Sequence, residues 1–129
     1  MSNVSHLSRV YLSNVSQSLD TEALADEFGR LVEVEAAGSA TPGEVADLEA
    51  LRKLIREVEN VAGPQFRNAV VVPGALFDQY AKDHFRGLVD GEAVLMLPFV
   101  DWASLARQWC DANFAVVEVG DMTFCVEVS

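Results

Sequence analysis

The feature that most constrains this chain is a Gly120-Asp121 pair set between two runs of strand-forming residues, FAVVEV and MTFCVEV. A two-residue loop joins antiparallel strands best when its twist matches theirs, and glycine at the first loop position supplies the positive φ of a type II′ turn. Fixing the turn fixes the register. Val119 then faces Met122, Val117 faces Phe124 and Ala115 faces Val126, so one face of the ribbon is wholly apolar. The other face pairs Glu118 with Thr123, Val116 with Cys125 and Phe114 with Glu127, a mixed surface expected to be wet. The residues just before the ribbon offer a cover for the apolar face. Asp101 is placed to cap a helix over 101–112, and Trp102, Leu105, Ala106 and Trp109 follow its i, i+3, i+4, i+7 pattern.

A second element is punctuated at both ends. Thr41 as cap, Pro42 in the first turn and Glu44 three residues after the cap form a capping-box signature, while Gly63 and Pro64 stop the helix that follows. Val45, Leu48, Leu51, Leu54, Ile55, Val58 and Val61 give this helix, 42–62, a broad apolar stripe. It is expected to be the spine of the core or a dimer helix. Upstream, Arg9–Asn14 alternates as a first strand after a Ser/Asn-rich, mobile start. Asp20 caps a helix over 21–28 that Gly29 ends, with Leu19 and Leu24 as a hydrophobic staple, and Leu31–Glu35 reads as a second strand. Downstream come a short buried strand over 69–72 closed by Pro73 and a helix over 74–86. Ala93–Leu97 reads as a buried strand or an extended linker beneath the last helix. The expected class is α+β, with one or two small antiparallel sheets and the C-terminal hairpin packed by about four helices. Residues 1–129 are expected to form a single domain, with 1–38 and 69–129 as subdomains joined by the helix 42–62.

Chemistry is sparse. The two histidines, His6 and His84, lie far apart in the chain. His84 falls on the inner side of its helix one turn after Tyr80, so a general-base role is weighed there against a half-buried, hydrogen-bonded ring. No CxxC, HxxxH, calcium loop or glycine-rich phosphate loop occurs. No catalytic residue, cofactor or metal is expected, and the chain is read as non-enzymatic. Cys110 and Cys125 are expected to be reduced and mostly buried. The longest apolar run, Ala93–Val100, is far short of a membrane span, and no leader segment is visible, so a cytoplasmic protein is expected.

Charge says more. The chain holds 20 acidic and 9 basic residues, a formal net charge of −11. Residues 1–50 carry −7, residues 51–89 carry +2 and residues 90–129 carry −6. Such a chain repels nucleic acid and anionic membranes and favours a protein partner with a basic surface. If its acidic ends lie on one side of the fold, a row of carboxylates could occupy a DNA-binding groove, since a duplex presents one charge per about 1.7 Å. The candidate surface comprises Asp20, Glu22, Asp26, Glu27, Glu33, Glu35, Asp90, Glu92, Asp111, Glu118 and Glu127.

The segment Phe99-Val100-Asp101-Trp102-Ala103-Ser104-Leu105-Ala106-Arg107-Gln108-Trp109, with Asn113-Phe114 and Gly120-Asp121-Met122-Thr123-Phe124, resembles the end of ArdA-type antirestriction proteins and related small actinobacteriophage proteins. Gly74–Ala81 is similar to their Phe-x-x-Tyr-Ala helix, and Val10–Asn14 to their first strand. The resemblance implies a phage or mobile-element protein in the host cytoplasm, often a homodimer, that mimics DNA and blocks a restriction–modification or other DNA-binding protein. The alternative expectation is a phage-encoded interaction module or host-factor binder. It would dimerise through an apolar helix, without mimicry.

Overall fold

The computed structural model describes residues 3–13 and 17–128. It is an α+β fold: α1 (Asn3–Val10), α2 (Thr21–Ala36), α3 (Pro42–Ala62), β1 (Val71–Pro73), α4 (Phe77–Arg86), α5 (Trp102–Asn113), β2 (Phe114–Val119) and β3 (Met122–Glu127). Short 3₁₀ turns occupy Phe66–Asn68 and Gly74–Leu76, and a longer 3₁₀ segment, the strap, covers Gly91–Phe99. The strands form one antiparallel sheet in the order β1-β3-β2.

The hairpin register is the one read from the turn, with Val119 opposite Met122, Val117 opposite Phe124 and Ala115 opposite Val126. Gly120 has φ 62°, and no described residue other than glycine has a positive φ, which matches the type II′ geometry. β1 adds to the free side of β3, Val71 opposite Val126 and Val72 opposite Cys125. Pro73 closes β1 at the sheet edge, where its missing N–H costs no ladder bond.

The cover of the apolar face differs from expectation. α3, not α5, lies over it: Leu48, Leu51, Leu54 and Val58 are buried in one cluster with Val117, Val119, Phe124 and Val126. α4 and α5 pack on the opposite face, where Phe77, Tyr80, Trp109 and Cys110 close over Val72, Phe114 and Cys125. The reason lies in length and breadth. A helix of 21 residues reaches about 31 Å and its unbroken aliphatic stripe spans the ribbon, whereas α5 has aromatic residues that match Phe114. α3 spends its stripe on the hairpin and is the spine of the core; its end residues Val45 and Val61 emerge.

The ends of α3 follow the capping reading. Glu44 N–H donates to Thr41 Oγ1 at 3.1 Å, Thr41 N–H donates to Glu44 Oε1 at 3.0 Å, and Gly63 ends the helix at φ 89°. The N-terminal third does not follow the strand reading. Arg9 and Val10 lie in α1, which starts at Asn3 in the stretch expected to be mobile and sets Val4, Leu7 and Ser8 inward at i, i+3, i+4 against α3. Tyr11 and Leu12 form a turn and an isolated bridge to Leu19; Asn14, the end of the expected strand, lies outside the described residues. α2 likewise runs through Gly29 and the expected strand Leu31–Glu35 to Ala36. Gly29 faces open space, so the roughly 1 kcal/mol it costs an exposed helix is outweighed by continuous burial of Leu24 and Leu31, two turns apart, against α3. The chain stops at Gly38, φ 74°, whose N–H returns to Glu35. The strap is neither buried strand nor buried linker; every residue in it except Leu97 is exposed.

Gly120→Ala is expected to lower unfolding stability by about 1–2 kcal/mol, because alanine is strained at φ 62°. Urea denaturation would show this as a lower midpoint with an unchanged slope; an unaltered midpoint would mean that the turn does not hold the register.

Candidate functional site

The candidate carboxylates divide into two groups. On α2, Glu22, Asp26 and Glu33 share one exposed face, because spacings of four and seven return to the same side of a helix, and they span about 16 Å. Several acids in this half already have partners. Asp20 caps α2 by accepting from Ala23 N–H at 3.0 Å, and Asp26 meets Arg67 at 2.8 Å. Glu27 and Glu44 share Arg30, which thereby ties α2 to α3. Glu35 is exposed near the end of α2. The second group, Asp90, Glu92, Asp111, Glu118 and Glu127, belongs to the strap, to α5 and to the hairpin face beneath α4 and α5. The sheet and α3 stand between the groups. Within one copy the first group thus belongs to the α3 side of the sheet and the second to the side of α4 and α5.

Around His84 the structure builds an aromatic stack. Trp109 lies against His84, centroids 4.5 Å apart and planes 18° apart, and against Tyr80 at 5.9 Å and 7°. Thus Trp109, not Tyr80, is the ring on which His84 stacks, and His84 is exposed where the sequence suggested the inner side of α4. No hydrogen bond joins it to a nucleophile or carboxylate among the described residues. Nor do the described residues contain a cluster of three or more His, Cys, Asp or Glu fit to hold a metal.

The surface that periodicity did not reveal is the strap. Leu95 is 74% exposed, Met96 61% and Phe99 80%, with Leu88 just before them at 68%. Where the strap returns to the body, Leu97 and Pro98 line a cleft of about 200 Å³ with Lys82, Arg86 and Trp102. The Lys82 ammonium sits 5.8 Å from the Trp102 ring centroid, a cation–π contact. The signal was present in the sequence: Ala93–Val100 is its longest apolar run, yet it has neither a helical nor a strand period. No helix among the described residues is long and apolar enough to cross a membrane.

Compared with models of protein families, with curated proteins and with solved structures, the chain has no match.

The strongest titration effects are structural. Burial, then the neighbouring Cys110, pushes the Cys125 thiol up to about 12, and the two sulfurs lie 4.0 Å apart. Burial, then Glu127, raises the Tyr80 phenol. Both groups favour their neutral form in the fold, so the stability they contribute falls as pH rises above the ordinary thiol value of 9.0. On the acid side the Thr41 amide and Arg30 lower Glu44, and Ser104 lowers Asp101. That contribution is present above the ordinary carboxylate values of 4.5 and 3.8 and is lost as pH falls through the depressed ones. Melting temperature should accordingly decline below about pH 4 and above about pH 9. Glu44→Gln should flatten the acid limb and Cys125→Val the alkaline one; limbs unmoved by these changes would assign the pH dependence to other groups.

Proposed function

We propose that this chain is a non-enzymatic protein–protein interaction module that meets its partner through the strap and the adjoining edge of α4. One observation carries the reading: the longest apolar run in the sequence lies in the open, led by Leu95 and Phe99. Covering a Leu, Met or Phe side chain is worth about 1.5–3 kcal/mol, so a partner seated on Leu95, Met96 and Phe99 gains several kcal/mol before any polar contact forms. An exposed apolar patch rimmed by charged residues is also what marks a protein contact.

A second reading, antirestriction-like mimicry of DNA, is favoured by the net charge of −11 and the Glu22–Asp26–Glu33 row on α2. It gives a different signature. Binding carried by carboxylates weakens steeply with salt and competes with duplex DNA, whereas binding carried by the strap is salt-tolerant and indifferent to DNA.

A benzophenone photocrosslinker in place of Met96 is expected to form a protein adduct in cells expressing the chain, and one in place of Glu33 is not. Leu95→Ser with Phe99→Ser should abolish the adduct while moving stability by no more than about 0.5 kcal/mol, as exposed positions do. Adducts formed only from α2, and lost on adding DNA, would move the proposal to the acidic face.

A further inference from the structure

The strap carries charge as well as apolar side chains, and the charges have an order. Asp90 and Glu92 stand at its start, while Lys82 and Arg86 flank its end beside Leu97 and Pro98. At about 2 Å per residue along a 3₁₀ segment, roughly 12 Å separates the acidic end from the basic end. Among the described residues none of these four side chains is in an ion pair, although the chain forms such pairs elsewhere through Arg30, Arg52 and Arg67. The patch is thus apolar in the middle, negative at one end and positive at the other. A twofold axis at Leu95 and Met96 lays these two side chains of one copy on their counterparts and sets each acidic end against the other copy's basic end, where Phe99 closes over the contact. Surfaces that are complementary to themselves in this way are what an isologous dimer requires.

We infer that the strap is the interface of a homodimer in which Asp90 and Glu92 of each copy face Lys82 and Arg86 of the other. The inference rests on the reading of the strap as a contact surface and names its occupant as a second copy. A lipid surface suits the patch less well. Asp90 and Glu92 lie within it, and the chain as a whole carries −11, both of which repel anionic headgroups. An acidic segment of another protein would fit Lys82 and Arg86 but would leave Asp90 and Glu92 opposite like charges.

The test is sedimentation velocity on the full chain from micromolar to several hundred micromolar. The wild type should reach twice the 14.0 kDa of one chain. Lys82→Glu with Arg86→Glu, or Asp90→Lys with Glu92→Lys, should each weaken self-association at least tenfold, because like charges then meet at both ends. Asp90 makes no side-chain cap bond, so its reversal removes no helix cap. Mixing the two reversed variants should restore a heterodimer, and combining all four changes in one chain should restore the homodimer. This rescue also guards against misfolding as the cause of loss. A dimer indifferent to these reversals and to Leu95→Ser with Phe99→Ser would place the interface elsewhere and overturn the inference. A wild type that stays monomeric overturns it as well. In that case, strap-dependent binding of the apolar dye bis-ANS would keep the strap as a docking surface for a different protein. Dye binding unaffected by the strap variants would remove that reading too. Co-sedimentation of monomer with phosphatidylcholine–phosphatidylserine vesicles, abolished by the strap variants, would assign the patch to lipid and overturn the dimer.

Discussion

The fold depends on the seating of α3 across the apolar face of the hairpin. Leu51, Leu54 and Val58 share a single buried cluster with Val117, Phe124 and Val126, and α1 and α2 reach that cluster by packing on α3. Without this contact, the apolar face of the sheet would lie open to water, and α1 and α2 would have little to rest against. A small sheet with a long helix on one face still leaves its second face open. Phe114 and Cys125 lie there, and α4 and α5 close over them with the aromatic group of Phe77, Tyr80 and Trp109. The result is two cores separated by one thickness of sheet.

What the sequence made legible was local chemistry. The Gly120-Asp121 turn, the Thr41–Glu44 box and the Gly63-Pro64 stop each specify a backbone geometry through neighbouring atoms, and each appears where it was read. The class, α+β with a C-terminal hairpin, followed from them. The errors arose where a local preference competed with a distant partner. Val32-Glu33-Val34-Glu35 alternates like a strand, and Gly29 looks like a stop, but Leu24 and Leu31 are held by α3, whose position no local pattern reveals. The same holds for α1, whose Val4 and Leu7 acquire their meaning only from the core. As for the candidate site, the identity of the acids was legible and their distribution was not. Charge along a chain says nothing of which side of a sheet each carboxylate occupies.

The division of the molecule by its sheet also separates two kinds of surface. On the α2 side, carboxylates dominate and several are engaged by Arg30 and Arg67. On the α4 and α5 side, apolar side chains stand in the open among unpaired charges of both signs. Net charge keeps like molecules apart at long range, while a patch of mixed sign and apolar centre acts only at contact. The one sets how often molecules meet; the other sets how long they stay.

α5 passes into β2 without a connecting residue, Asn113 ending the helix and Phe114 starting the strand. The strap, in turn, ends only two residues before α5 begins. Strap, helix and central hairpin therefore follow one another along the chain with at most two residues between elements. Both tryptophans of the chain, Trp102 and Trp109, ride on that helix, one beside the Lys82 ammonium and the other in the aromatic stack with His84. Trp102 lines the cleft with Leu97 and Pro98, so a contact made on the strap falls beside an indole whose emission needs no label.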